Sequence, residues 1–198
     1  MNLYIFDLGN VVIKTDFRAC FATWSRLCDR PVEQLLERFV IDKAFEALER
    51  GEMSPQDYYA HFNRLIGVQL TYNEFVEGWN AVYQGLFDEV VASLRRLKRH
   101  ARLVALTNTN EIHCEVWPKL YPTLHDMFET IYISNEIGLR KPEAAIFEHV
   151  LGNEAVEPAD AVFLDDHADN VAAAQSLGIR GIVVATPQDV LRVTENTR

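Results

Sequence analysis

The stretch Tyr4-Ile5-Phe6-Asp7-Leu8-Gly9-Asn10-Val11-Val12 constrains this chain more than any other. The run Leu3-Tyr4-Ile5-Phe6 is short, aromatic and β-branched, and it stops at Asp7. A strand covered on both faces, as in a parallel sheet, reads as such a continuous apolar run. Its C-terminal end is where open α/β sheets bind ligands, so Asp7 falls on the productive edge. Gly9 allows a sharp turn or a close backbone approach to a ligand. Turns and helix caps also use Asp, so this stretch alone leaves a purely structural Asp7 open.

The second half of the chain repeats the pattern. Arg102-Leu103-Val104-Ala105-Leu106 runs into Thr107-Asn108-Thr109-Asn110. Ile131-Tyr132-Ile133 leads to Gly138-Leu139-Arg140-Lys141-Pro142-Glu143, and Ala161-Val162-Phe163-Leu164 ends in Asp165-Asp166. Gly181-Ile182-Val183-Val184 is a last strand candidate. Helices are expected between them: one carrying Val90, Val91, Leu94 and Leu97, one over Ala144–Leu151, one from about Asp169 to a C-cap at Gly178, and one after Thr186-Pro187. Strands alternating with helices imply an α/β fold with a doubly wound, Rossmann-like parallel sheet.

Phe17 to Gly85 interrupts this pattern with about four expected helices. Phe17, Cys20, Phe21 and Trp24 recur at helical spacing, as do Leu35, Leu36, Phe39 and Val40 after Pro31. Ser54-Pro55-Gln56-Asp57 reads as an N-cap with a first-turn proline, and Thr71-Tyr72-Asn73-Glu74 as a capping box. The organisation expected is a discontinuous core of residues 1–14 and 86–198 with a small α-helical cap at 15–85. Phe17, Trp24, Phe45 and Trp79 either line the approach to a site or pack as bundle core.

Composition narrows the partners. A formal net charge of −10 argues against nucleic acid, which needs basic patches, but permits a local pocket for an anionic small molecule. Three cysteines, Cys20, Cys28 and Cys114, give neither a disulfide framework nor a zinc signature. The first apolar run has no basic flank and breaks at Asp7, so no signal peptide is expected, and no apolar stretch is long enough for a membrane span. The expectation is a cytoplasmic monomer with no membrane or nucleic-acid partner, open to a small anionic substrate.

Four strand or loop ends carry polar chemistry: Asp7, Thr107 with Asn108, Lys141, and Asp165 with Asp166. Carboxylates from two strands supply the hard oxygens that Mg²⁺ takes. A hydroxyl and an amide hold phosphoryl oxygens, a lysine supplies positive charge, and a remaining carboxylate can attack phosphorus. Each piece has a plainer reading. Thr107-Asn108 can cap a helix, Lys141 can be a surface lysine ahead of a helix, and His167 fits a surface role better than metal ligation. Adjacent acids closing a buried strand are harder to explain without a cation.

In this order and at these spacings the motifs resemble those of the haloacid dehalogenase superfamily. YIFDLGNVV resembles its first motif, LTNTN its second, GLRKPE its third and VFLDDHADN its fourth. Within it, FDLGNV, Trp117-Pro118 after TNTN, GLRKPE and FLDDHADN are most similar to the bacterial α-D-glucose 1-phosphate phosphatases. The resemblance implies a Mg²⁺-dependent phosphatase with Asp7 as nucleophile and metal ligand. It implies the Gly9 backbone carbonyl and Asp166 as further metal contacts, and Thr107 and Asn108 as the phosphoryl-binding pair. Lys141 becomes the charge-neutralising lysine, with Asp165 and Asn170 supporting.

One departure matters. Many phosphatases of this superfamily carry a second Asp two residues after the nucleophile, as general acid and base, where this chain has Gly9. Such help is worth about 10²–10⁴-fold, so a cap residue, water or an easier leaving group has to stand in. An anomeric hydroxyl leaves more readily than an ordinary alcohol, which fits a sugar 1-phosphate. Two other readings remain at this point. One is metal-independent carbon–halogen hydrolysis by Asp7, disfavoured by the Asp165-Asp166 pair; the other is a non-catalytic phosphate-binding or regulatory protein on the same fold.

Overall fold

The computed structural model describes residues 2–195. The chain begins with β1 (Leu3–Phe6), turns tightly and forms β2 (Ile13–Thr15). Helices α1 (Phe17–Cys28), α2 (Val32–Leu36), α3 (Lys43–Glu49), α4 (Pro55–Ile66) and α5 (Tyr72–Asn80) follow, and β3 (Tyr83–Leu86) returns beside β2. Then come α6 (Asp88–Leu97), β4 (Arg102–Thr107), and the short helices α7 (Glu111–Cys114), α8 (Trp117–Leu120) and α9 (Thr123–Met127). The chain continues through β5 (Thr130–Ile133), α10 (Ser134–Ile137), α11 (Ala144–Glu154), β6 (Ala161–Asp165), α12 (Ala168–Ser176), β7 (Arg180–Val183) and α13 (Pro187–Glu195).

The main sheet has the order β5-β4-β1-β6-β7 and is parallel throughout. β1 is central, and the chain crosses to β4 on one side and β6 on the other, which makes its C-terminal end a topological switch point. Phe6 pairs with Ala105 and with Leu164, so Asp7 emerges level with Leu106 and Asp165.

Side-chain alternation divides the core in two. Leu3 and Ile5 face a layer with Val104, Leu106, Phe163, Ile146, Phe147 and Val171, under α11 and α12. Tyr4 and Phe6 face the opposite layer with Leu103, Ala105, Leu164, Val90, Leu94 and Val190, under α6 and α13. Burying each large aliphatic or aromatic side chain is worth about 1.5–3 kcal/mol, and the two-sided burial is why β1 reads as unbroken apolar sequence.

The helical insert has its own aromatic core of Phe21, Trp24, Tyr58, Phe62, Phe75 and Trp79. Gly78 is required where α1 meets α5, since a Cβ there would lie 2.0 Å from Trp24 Nε1. Of the four aromatics left open by the sequence, Trp24 and Trp79 are buried in this core, Phe45 is half-buried and Phe17 is exposed.

Two expectations are corrected. The single helix expected after Pro31 is two, α2 and α3, because Val40 and Ile41 are exposed and Asp42 restarts the helix by accepting from the N–H groups of Ala44 and Phe45. Pro31 stands as the N-cap of α2. The insert is also joined to the core by strands that were not expected: β2 and β3 pair antiparallel, Ile13 with Leu86 and Thr15 with Tyr83. That pairing spans the whole insert in sequence, and no local pattern announces it. Among the described residues no helix is long and apolar enough to cross a membrane.

Candidate active site

Lys141 is the hub of the polar residues at the sheet edge. Its Nζ donates to Asp7 Oδ1 at 2.7 Å, to Asp165 Oδ2 at 2.7 Å and to the Leu106 carbonyl at 2.8 Å. Those three acceptors match the three donors of an ammonium group. The residue is only 1% exposed, so it is no surface lysine. Burial alone pushes its pKa down, but Asp7 and Asp165 outweigh burial and hold it above the ordinary value.

The Lys141 loop, between α10 and α11, is positioned by Asn108. Asn108 Nδ2 donates to the Lys141 carbonyl and Oδ1 accepts from the Lys141 N–H, each at 2.9 Å. The Asn108 amide, read from sequence as a phosphoryl-binding group, thus acts on the lysine's backbone. Thr107, buried, ends β4 one residue beyond the level of Asp7. The segment after it is tied down by a reciprocal pair, Thr109 N–H to Ser134 Oγ and Ser134 Oγ to the Thr109 carbonyl.

Asp165 is fully buried and saturated with donors. Oδ1 accepts from the His167 N–H at 2.8 Å and from Asn170 Nδ2 at 3.0 Å, while Oδ2 accepts from Lys141 and Asn170. Asn170 comes from the start of α12. The His167 imidazole itself is 75% exposed, as the plainer reading anticipated. Asp166 is half-buried, and its Oδ2 accepts from Asn10 Nδ2 at 3.3 Å.

Asn10 is a residue the sequence reading passed over. It adopts a left-handed conformation with φ 53°, which Asn tolerates better than most side chains. Its Oδ1 accepts from Thr15 N–H at 3.2 Å and Thr15 Oγ1 at 2.9 Å. It therefore connects β2, where the helical insert begins, to Asp166. A Cβ at neighbouring Gly9 would meet nothing closer than Asp7 Oδ2 at 3.8 Å, with Thr15 at 3.9 Å.

Asp7, Asp165 and Asp166 each present a carboxylate oxygen within 4.8 Å of the others. Lys141 pairs with Asp7 and Asp165 but not with Asp166, and the donor set is all hard oxygen, which suits a divalent cation such as Mg²⁺. Without a cation, burial raises the Asp7 pKa to about 7, with Asp165 and Asp166 adding to the rise and Lys141 opposing it.

Ion pairs join the insert to the lysine loop, and these too were not read from sequence. Arg140 Nε donates to Glu49 Oε2 at 2.9 Å and Nη1 lies 3.6 Å from Glu46, while Arg50 pairs with Glu143. The residues flanking Lys141 are thus held by α3 and its C-cap. A second junction runs through His113, whose Nδ1 lies 3.2 Å from Asn80 Oδ1 and whose ring stacks on Trp79 at 5.8 Å. Burial pushes the His113 pKa down to about 3, which keeps it neutral.

Comparisons with known proteins agree with this fold. A model of haloacid dehalogenase-like hydrolases matches residues 1–178. A D-ribitol-5-phosphate phosphatase of Bacteroides thetaiotaomicron is 26% identical over 190 residues, covering 88% of this chain and 87% of its own. A sesquiterpene phosphatase of Aspergillus oryzae is 30% identical over 190 residues, covering 90% and 87%. Among solved structures, a haloacid dehalogenase family enzyme of B. thetaiotaomicron in complex with magnesium and inorganic phosphate superposes with a TM-score of 0.80 at 26% identity, over 92% of this chain and 93% of that one. The substrates these names carry are a sugar alcohol phosphate and a terpenoid phosphate, not the glucose 1-phosphate of the narrower sequence resemblance. With the parallel sheet, the central Asp7 and the family match over most of its length, the chain belongs to the haloacid dehalogenase-like hydrolases.

Proposed function

We propose that the chain is a Mg²⁺-dependent phosphatase of small hydroxylated phosphate monoesters, with residues 15–85 acting as a cap over a core of 1–14 and 86–198. The observation that carries this reading is the buried bridge of Lys141 between Asp7 and Asp165, with Asp166 completing an oxygen cluster within 4.8 Å. Asp7, Asp166 and the Gly9 carbonyl would hold the cation. When bound, it offsets the negative charge of the carboxylates and of the phosphoryl group.

The chain's own residues then divide the work. One carboxylate oxygen of Asp7 attacks phosphorus, the bond from phosphorus to the ester oxygen breaks, and an aspartyl-phosphate forms. Lys141 fixes the Asp7 carboxylate and supplies positive charge to the phosphoryl oxygens as negative charge spreads over them. Thr107 and the backbone at Asn108 receive those oxygens, while the Asn108 side chain holds the lysine loop. Water then attacks the aspartyl-phosphate, releasing phosphate and regenerating Asp7.

No carboxylate occupies position 9, so the departing alcohol takes its proton from solvent or leaves as a stabilised anion. That favours good leaving groups, and α-D-glucose 1-phosphate stands first among the hydroxylated candidates. The relative that is a D-ribitol-5-phosphate phosphatase supports the hydroxylated class. Carbon–halogen hydrolysis is disfavoured, since without a cation Asp165 and Asp166 add negative charge beside the nucleophile.

The test is phosphate release from a panel of esters, including glucose 1-phosphate, ribitol 5-phosphate and phenyl phosphate, with Mg²⁺, with EDTA and in Asp7→Asn. Release that requires Mg²⁺ and disappears in Asp7→Asn is expected. Absence of release from every ester, or release indifferent to EDTA, would overturn the reading.

A further inference from the structure

Lys141 and Pro142 occupy the centre of a turn that the Glu143 N–H closes onto the Arg140 carbonyl at 3.0 Å. The first and last residues of that turn, Arg140 and Glu143, both reach the end of α3. Arg140 Nε and Nη2 each lie 2.9 Å from Glu49 Oε2. Arg50 Nε donates to Glu143 Oε1 at 3.0 Å. Glu46, one helical turn earlier, lies between the two guanidinium groups, 3.6 Å from Arg140 Nη1 and 3.7 Å from Arg50 Nη2. An acid then a base on the insert thus meets a base then an acid on the turn, and this pattern fixes the register of the contact.

The backbone fits as closely as the charges. Gly51 follows with φ 68°, and a Cβ there would collide with the Asn135 carbonyl oxygen of α10. The other end of α3 is tied to the insert. Its N-cap Asp42 accepts from the Ala44 and Phe45 N–H groups and lies 2.7 Å from His61 Nε2 on α4. Helix α3 is thus a strut between the body of the insert and the turn that carries Lys141. Stability is a poor reason for it. The Glu49 and Arg140 side chains are 10% and 13% exposed, and lost hydration offsets much of the attraction in a buried pair. Its geometric constraint is larger, because a planar guanidinium donating twice to one oxygen is fixed in place.

We propose that Glu49 and Arg50 are positioning residues: through Arg140 and Glu143 they hold the turn that sets the Lys141 ammonium against Asp7 and Asp165. Docking of α3 and placement of the lysine are then one event. This rests on the phosphatase reading and deepens it. Neither residue touches the ester; both act through Lys141, whose three acceptors lie at 2.7–2.8 Å and tolerate little displacement. The lysine charge matters most as negative charge spreads over the phosphoryl oxygens, so loosening α3 lowers kcat and changes KM less.

The test uses Glu49→Gln, Arg50→Met, Arg140→Met and the double variant Glu49→Gln/Arg140→Met. Arg26→Met is the control, since it breaks an ion pair with Glu77 inside the insert. Kinetics on the ester that the parent hydrolyses best are measured well below each unfolding midpoint. In Glu49→Gln and Arg50→Met kcat should fall about 10–100-fold with KM changing less, and Arg26→Met should match the parent. The double variant should be no slower than Arg140→Met, because Glu49 acts through Arg140. Amide hydrogen exchange reads the turn without turnover: the Lys141 and Glu143 amides should exchange faster in both single variants of α3, with those of β1 unchanged. A parent-like kcat or parent-like exchange of the turn in both variants would make the ion pairs a mere attachment of the insert and overturn the proposal. If the parent hydrolyses no ester, the phosphatase reading fails by itself, and the exchange still decides whether α3 holds the turn.

Discussion

The side chain of Asn108 holds the backbone of Lys141 at two points, donating to its carbonyl and accepting from its N–H at 2.9 Å each. The end of β4 thereby sets the position of a lysine that sits 33 residues later in the chain. In Asn108→Ala both bonds are lost, and the buried Lys141 peptide has to find other partners. The expected cost is about 1–3 kcal/mol of stability, with kcat falling about 10–100-fold and KM changing less. Denaturant unfolding and steady-state kinetics measure both, and a kcat equal to that of the parent would remove Asn108 from the catalytic geometry.

The core was legible in the sequence for a simple reason: strands buried on both faces give unbroken apolar runs. Those of β1, β4 and β6 run into the polar residues Asp7, Thr107 and Asp165 of the candidate site. Lys141 was harder, since it lies on a loop, and its burial depends on acceptors supplied by Asp7, Leu106 and Asp165, all distant in sequence. The pairing of β2 with β3 and the ion pairs of Arg140 and Arg50 were not legible, because each joins segments whose proximity only the fold creates. Asn10 carried a weak local signal, an Asn directly after Gly in a turn. Its link to Asp166 crosses 156 residues and has no sequence signature.

Lys141→Met keeps the length of the side chain and removes its charge. Asp7 and Asp165 would then face each other buried and without their shared cation, a change that typically costs about 3–5 kcal/mol. Added Mg²⁺ supplies positive charge at the same cluster, so it should stabilise the variant by more than it stabilises the parent. Thermal unfolding in Mg²⁺ and in EDTA tests this; an equal shift in the two proteins would mean that lysine and metal do not compensate the same charge.

Asn10→Ala should weaken Mg²⁺ binding without touching a proposed ligand. Asn10 steadies Asp166 from one side of its amide and is steadied by Thr15 from the other. Outer partners of metal-binding carboxylates are typically worth about 10–100-fold in affinity, and a loss in that range is expected here. Thr15→Val, which removes only the Oγ1 bond to Asn10, should give a smaller loss in the same direction. Mg²⁺ titration followed by calorimetry or thermal shift decides the matter, and an Asn10→Ala affinity equal to the parent's would assign Asn10 to the turn alone.

Gly9→Asp tests whether the chain is limited by the absence of a proton donor. Position 9 has room for the change, because a Cβ would meet only Asp7 Oδ2 at 3.8 Å and Thr15 at 3.9 Å, and the residue lies outside the positive-φ region. A carboxylate there adds negative charge to a cluster that already holds three, so part of any gain will be offset by poorer folding stability without Mg²⁺. With Mg²⁺ present, general acid help should appear where the leaving group needs it. Hydrolysis of a simple alkyl phosphate should accelerate by about 10-fold or more, the lower end of what such catalysis supplies. p-Nitrophenyl phosphate, whose leaving group departs without a proton, should accelerate far less. The slope of log kcat/KM against leaving-group pKa therefore flattens in the variant. An equal change across the series would show that proton transfer does not limit this enzyme, and the tolerance of Gly9 would then need a cause other than the leaving group.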